Sequence, residues 1–107
     1  MQQVINEKRT AIIFGGSGFI GQHLIRHLKS SGDWGVHNFD LFESGINYSS
    51  YTYDYCDISK TIPSKNNKYK APVIFCLAAY FKINNPINSE YYRVNINIAR
   101  NVCNYAR

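Results

Sequence analysis

The sequence is poor in cysteine, in acidic residues and in long apolar runs. Its three cysteines, Cys56, Cys76 and Cys103, form no Cys-x-x-Cys pair, so we expect reduced thiols and neither a disulfide framework nor a metal site. No apolar run is long enough to span a bilayer, and residues 1–10 lack the apolar core of a signal peptide. These absences argue against a disulfide-stapled secreted domain and favour a cytoplasmic protein with no membrane partner.

The scarcity of acidic residues leaves a formal net charge of +5, from 12 Lys and Arg against 7 Asp and Glu. A basic excess is one mark of nucleic-acid binding. Four of the lysines, however, fall in the polar segment 60–70, where only Tyr69 could act as a stacking platform. We therefore expect a solvated loop there and no nucleic-acid partner.

What the chain does contain is organised around residues 10–28, TAIIFGGSGFIGQHLIRHL. An apolar run enters a turn in which Gly15, Gly18 and Gly21 are three residues apart, and a helical apolar periodicity follows. In such a unit the first glycine allows a sharp turn, the second lets the main chain approach a pyrophosphate, and the third lets the helix pack on the strand. The unpaired N–H groups of the helix start, at Phe19 and Ile20, would then face the phosphates. The glycines alone would also suit an ordinary strand-to-helix turn.

A carboxylate in the right place favours nucleotide binding over an ordinary turn. Asp40 ends a second apolar segment, nineteen residues after Gly21, where it is expected to accept hydrogen bonds from an adenosine ribose. The following loop, 41–50, contains no Arg or Lys that could pair with a 2′-phosphate, so the sequence favours NAD over NADP. A more distant basic side chain that folds into the site remains an open alternative.

These motifs also carry a family resemblance. The turn FGGSGFIG resembles the TGGxGFIG fingerprint of the NAD-dependent epimerase/dehydratase family, the extended short-chain dehydrogenases, with Phe14 in place of the usual Thr. Asp57 and Ile58 match that family's Asp-Ile/Leu pair, which implies that the carboxylate meets the adenine amino group and that the apolar side chain packs on the ring. A turn Asp of purely structural role is the plainer alternative.

Two later segments extend the resemblance. The run 72–79, PVIFCLAA, is similar to the family's VFHLAA segment, which implies an approach of the main chain to the nicotinamide ribose at Leu77, Ala78 and Ala79. Cys76 stands where the family often has His, and we expect it to be a buried structural thiol. In YYRVNINIARNVCNYA, which resembles the family's Y..VNV.GT.NLLEAA helix, Asn95 matches the Asn that helps to order the active site. An ordinary polar position of the helix is the plainer alternative for Asn95.

The alternation of strand and helix patterns predicts one α/β domain, a Rossmann-type doubly wound parallel sheet with strand order 3-2-1-4. Strands are predicted at 9–14, 36–39, 51–58 and 72–77. Helices are predicted at 18–31, closed by Gly32, and at 89–107, where Ser89 is the expected N-cap. On the second helix an apolar face recurs every three or four residues, at Tyr91, Val94, Ile98, Val102 and Tyr105.

The family's catalytic Tyr-x-x-x-Lys pair is not in this sequence, because no Lys has a Tyr four residues before it. We therefore assign no catalytic residue, and we expect an N-terminal cofactor-binding portion, left by a truncated gene or a domain excerpt. The resemblance implies a parent enzyme that acts on nucleotide sugars by transient hydride transfer to NAD, and a homodimer formed through the helix at 89–107. A non-catalytic dinucleotide sensor or a decayed remnant is the alternative.

Overall fold

The computed structural model describes residues 9–45, 48–64, 69, 71–80 and 88–107. The elements are four strands and two helices: β1 (Arg9–Phe14), α1 (Phe19–Ser30), β2 (Trp34–Asp40), β3 (Tyr51–Tyr55), β4 (Val73–Cys76) and α2 (Asn88–Ala106). All strand pairs are parallel, and the order in the sheet is β3-β2-β1-β4. The predicted Rossmann-type sheet and its strand order are confirmed.

Several boundaries differ from prediction: β2 is longer at both ends, and α2 begins at Asn88, so Ser89 lies inside the helix and is not its N-cap. β3 stops at Tyr55 rather than at Ile58, because the Asp57 carbonyl accepts the N–H groups of Lys60 and Thr61 and starts a turn. Helix α1 begins one residue later than predicted, with Gly18 as its N-cap, and Gly32 follows its end at a φ of +79°. The predicted loop at 81–87 lies outside the described residues, as do residues 65–68 and 70 of the lysine-rich segment 60–70.

The central strand β1 is buried because both faces of the sheet are covered. Ala11 and Ile13 pack with Ile25 and Leu28 of α1 in one cluster, which we call the α1-side core. The alternate residues of β1 belong to a second cluster, the α2-side core, whose buried members are Ile12, Phe14, Phe39, Cys56, Ile58, Ile98, Val102 and Tyr105. A strand buried on both faces explains the unbroken apolar run in the sequence.

The apolar face predicted on α2 is confirmed. Ile98, Val102 and Tyr105 are buried, and Tyr91 and Val94 are half-buried. The ring of Tyr105 meets that of Phe14 edge-on at 5.3 Å, which fixes α2 on the sheet. Although α2 has 19 residues, neither helix of the described chain combines the length and apolarity that a membrane span requires.

The prediction of a buried thiol at Cys76 was wrong. β4 lies at the end of the sheet and, within the described residues, pairs with β1 alone. Its side chains therefore lie at the rim of both layers, with Val73 45% exposed and Cys76 exposed. The strand is also shorter than the apolar run that predicted it.

Candidate functional site

A cleft of about 520 Å³ lies at the carboxyl edge of the sheet. Residues that end or follow all four strands line it, including Gly15, Asp40, Asp57 and Ala78. One side of α2 completes the lining. Open parallel sheets bind ligands outside the carboxyl ends of their strands, and the volume is in the range of small-molecule pockets.

Two glycines of the turn after β1 are required by packing. Gly15 has a φ of +90°, and a Cβ there would lie 2.5 Å from the backbone nitrogen of Ala78. A Cβ on Gly21 would lie 2.5 Å from the Cα of Gly16, so its absence lets the start of α1 pack on the turn. The role of Gly15 agrees with the sharp turn predicted there, whereas Gly21 packs on the turn and not on the strand as predicted.

Gly18 differs from these two because no protein atom demands a glycine there. Its φ is −76°, and the nearest atom to an added Cβ is the Gly15 carbonyl oxygen, 3.9 Å away. The first helical hydrogen bond runs from Gln22 N–H to the Gly18 carbonyl, and no side chain caps the helix. In the described chain the N–H groups of Phe19, Ile20 and Gly21 therefore have no partner, and the side chains of Phe19 and Ile20 are exposed.

The end of β2 holds the glycine turn in place. Asn38 is fully buried; its Oδ1 accepts the Gly16 N–H at 2.9 Å, and its Nδ2 donates to the Ser17 hydroxyl at 2.9 Å and to the Tyr51 phenol oxygen at 3.1 Å. Asp40 accepts the Ser17 N–H at 2.8 Å. Asn38 is a site residue that sequence reasoning missed, and a polar residue inside an apolar strand was the available signal.

The carboxylate of Asp40 is fixed at the mouth of this turn. One oxygen accepts the Ser17 N–H, and the other accepts the Leu41 N–H at 2.7 Å. An ionised carboxylate has about four acceptor sites, so two remain for a ligand hydroxyl.

The turn after β3 forms a second part of the lining. One oxygen of Asp57 accepts both the N–H of Ser59, at 3.1 Å, and its hydroxyl, at 2.6 Å. The Ile58 side chain is 5% exposed, and its carbonyl accepts from Asn101 Nδ2 at 2.7 Å, which ties the turn to α2. Asp57 therefore has the turn-capping role of the plainer interpretation and also lines the cleft.

The loop after β4 is clamped to α2. Asn95 accepts the Tyr80 N–H at 2.8 Å and donates to the Tyr80 carbonyl at 3.2 Å. At the other end, the Leu77 N–H donates to the Phe14 carbonyl at 2.7 Å. These bonds hold the backbone of Ala78 beside Gly15 and the loop residue Ala79 in the lining of the cleft. Partial burial, followed by the nearby Glu90 carboxylate, raises the pKa of the Tyr80 phenol.

Charged and polar side chains that the sequence did not single out also line the cleft. Lys60, assigned above to a solvated loop, is exposed but borders it, and α2 adds Glu90, Arg93 and Asn97. These three α2 residues lie about one helical turn apart, beside the apolar face of the helix. This spacing was the only indication of their position that the sequence offered. Among the described residues, no group of three or more His, Cys, Asp or Glu side chains could hold a metal ion.

The predicted site residues thus fall into two groups. The cleft is lined directly by six of them: Gly15, Asp40, Asp57, Ile58, Ala78 and Ala79. The others flank it: Gly18, Phe19, Ile20 and Gly21 at the start of α1, Leu77 in the α1-side core, and Asn95 behind Tyr80. The topology brings residues from four separate segments to one edge of the sheet.

Known structures share this fold. A short chain dehydrogenase from Leptospira borgpetersenii with bound NAD+ matches with a TM-score of 0.66 and 22% identity over 92% of this chain and 44% of that one. The Bordetella bronchiseptica enzyme WbmH in complex with NAD+ gives 0.64 and 20% over 92% and 35%. The epimerase Mth375 from Methanothermobacter thermautotrophicus gives 0.66 and 21% over 94% and 32%. The chain therefore spans less than half the length of each of these structures.

At these identities the structures establish the fold alone. No curated protein matches the sequence. The sequence does match the NAD dependent epimerase/dehydratase family over residues 11–107. That match covers almost the whole chain, and the chain therefore belongs to the NAD dependent epimerase/dehydratase family.

Proposed function

We propose that this chain binds NAD in the cleft, as the cofactor-binding portion of a cytoplasmic epimerase or dehydratase that acts on nucleotide sugars. The observation that carries the proposal is the open start of α1. Three N–H groups without partners in the described chain lie next to Gly18, where the space of a missing Cβ is left unfilled by the protein. A helix N-terminus with free N–H groups favours an anion such as a pyrophosphate.

The other lining residues suit the rest of the dinucleotide. Asp40 has acceptor sites left for the hydroxyls of the adenosine ribose. Asp57 and Ile58 offer a carboxylate and an apolar surface to the adenine, and the small side chains of Ala78 and Ala79 leave room for the nicotinamide ribose. When bound, NAD supplies an acceptor that takes hydride from a sugar carbon and returns it. In this chain the residues bind and orient the cofactor, and the proton-transferring pair is not among them.

NAD is favoured over NADP because of the fixed charge of Asp40. A 2′-phosphate on the ribose would bring a second negative charge towards this carboxylate, which two backbone N–H groups hold in place. Lys60 and Arg93 border the same cleft and are the distant basic side chains that could offset this repulsion. We expect NADP to bind at least about tenfold more weakly than NAD, a difference of about 1.4 kcal/mol.

Calorimetric titration with NAD tests the proposal. Gly18→Ala should leave the melting temperature unchanged, because its Cβ meets no protein atom closer than 3.9 Å, but should weaken NAD binding at least about tenfold. Gly35→Ala is the matched control. This glycine lies in β2 away from the cleft, and the nearest atom to an added Cβ would be the Ser50 carbonyl oxygen, 3.8 Å away. A folded chain that does not bind NAD, or a Gly18→Ala variant that binds as well as Gly35→Ala, would refute it.

A dinucleotide sensor without catalytic activity is the second candidate, favoured by the missing Tyr-x-x-x-Lys pair. Both candidates require NAD binding, so titration does not separate them. Reading the gene beyond the codon for Arg107 does. An in-frame Tyr-x-x-x-Lys supports the enzyme, whereas a stop codon with no further coding sequence supports the sensor.

A further inference from the structure

Asn97 differs from the other asparagines packed around the cleft. Asn38, Asn95 and Asn101 each hydrogen-bond to the backbone of a neighbouring segment, and each therefore has a structural role. Asn97 is half-buried and lines the cleft, yet within the described ranges of the chain its amide has no hydrogen-bond partner. Of these four asparagines, Asn97 is therefore the one whose amide can still hydrogen-bond to a ligand without losing a bond to the described chain.

Asn97 lies on α2 close to the point where this helix contacts the β3 turn, at one end of the cleft. Asn101 lies four residues later, one turn along the same face of the helix, and bonds the carbonyl of Ile58. Asn97 is therefore about 6 Å along the helix axis from the contact between α2 and the β3 turn. Asp57 and Ile58 belong to that turn, where the proposed function puts the adenine.

A carboxamide presents an acceptor and a donor side by side in one plane. The N6 amino group and ring N7 of adenine present the complementary pair, and an Asn side chain can bond both at once. The amino group has a second N–H, so the free oxygen of Asp57 can accept from it on the other side. No described group bonds that oxygen.

We propose that Asn97 reads the N6/N7 edge of the adenine in the bound dinucleotide and so selects adenine over other purines. This inference rests on the proposed function. The carboxamide Oδ1 accepts from the N6 amino group, and Nδ2 donates to N7. A base with a carbonyl at position 6 presents two acceptors on that edge, which leaves the Asn97 oxygen facing another oxygen.

The test compares NAD with nicotinamide hypoxanthine dinucleotide, in which a carbonyl replaces the adenine amino group. Calorimetric titration of the 107-residue chain gives the ratio of the two dissociation constants. We expect the wild type to bind the hypoxanthine form about tenfold more weakly. Asn97→Ala should reduce this preference about fivefold, mainly by weakening the binding of NAD.

The control is Asn104→Ala, which removes an exposed asparagine of the same helix and should keep the wild-type ratio. Alanine is the best helix former, so both variants should remain folded, as thermal melting will verify. A wild type without preference overturns the inference, as does an Asn97→Ala variant that loses affinity equally for both dinucleotides. A folded wild type that binds neither overturns the proposed function as well.

Discussion

The two sides of the cleft are built by different means. On one side, which we call the α1 side, the backbone of Gly15 lines the cleft and the rest of the glycine turn, to residue 21, flanks it; Asn38 and Asp40 of β2 accept hydrogen bonds from N–H groups of this turn. On the other, the α2 side, the surface consists of side chains of one helix, Glu90, Arg93 and Asn97, beside a loop that Asn95 clamps. A binding surface made of backbone requires glycine at the positions where a Cβ would clash. A binding surface made of side chains is determined by how the helix that carries them packs on the sheet.

Gly21→Ala should have the largest effect, because it disrupts the α1 side directly. The new Cβ would lie 2.5 Å from the Cα of Gly16 and 2.6 Å from the Gly15 carbonyl oxygen, and backbone atoms cannot rotate away. Alanine in a helix normally gains about 1 kcal/mol over glycine, so the clash must exceed that gain. We expect the free energy of unfolding to fall by about 3 kcal/mol, measured by urea denaturation.

Gly32→Ala is the control for that change. An added Cβ there meets no atom within 4 Å, and only its φ of +79° opposes a side chain. The expected loss is about 1 kcal/mol. Equal losses at the two positions would show that the turn tolerates a Cβ and that Gly21 is not a packing requirement.

Asn38→Ala should have the next largest effect, because it removes the support of the same turn. Three hydrogen bonds are lost, and the Gly16 N–H remains buried without a partner. We expect the free energy of unfolding to fall by about 2 kcal/mol and NAD binding to weaken with it. Asn104→Ala, measured in parallel, should be neutral. If the variant loses stability but its folded fraction binds NAD with unchanged affinity, the glycine turn supports the fold and is not part of the NAD site.

The sequence predicted more of the α1 side of the cleft than of the α2 side. The glycine spacing and Asp40 placed the α1 side because a backbone turn and a strand end are local features. The positions of Asn97 and Lys60 in the lining were not predicted, because they depend on where α2 and the β3 turn meet across the sheet. Cys76 was assigned to the interior because its strand is apolar, although the predicted order 3-2-1-4 already placed that strand at an edge of the sheet, where its side chains are less covered.

Asn95→Ala tests the α2 side, where we expect a smaller loss. Two hydrogen bonds to the Tyr80 backbone disappear, but Asn95 is only half-buried, so water can replace part of each bond. The free energy of unfolding should fall by about 1 kcal/mol. Proton exchange measured by NMR should show faster exchange at the Tyr80 N–H, whereas the Gly16 N–H on the α1 side should keep its protection. Equal acceleration at both would mean that the two sides of the cleft unfold together.

Alkaline pH should have the smallest effect on stability, and this effect should distinguish the two sides of the cleft. The buried members of the α1-side core are aliphatic or alanine, whereas the α2-side core contains Cys56 and Tyr105, and burial raises the pKa of both side chains. A raised pKa means that the unfolded chain loses these protons first, so stability is constant below the ordinary values and falls as pH rises through about 9 to 10. Cys56→Ala should remove the earlier, thiol-dependent part of this fall in melts recorded from pH 7 to 10. The Tyr105 ring packs against Phe14 beneath the cleft. The remaining loss of stability should therefore affect the α2 side of the cleft before the α1 side. An unchanged pH profile in Cys56→Ala would assign the decline to Cys76 and the tyrosines, because burial raises the pKa of the Cys76 thiol as well.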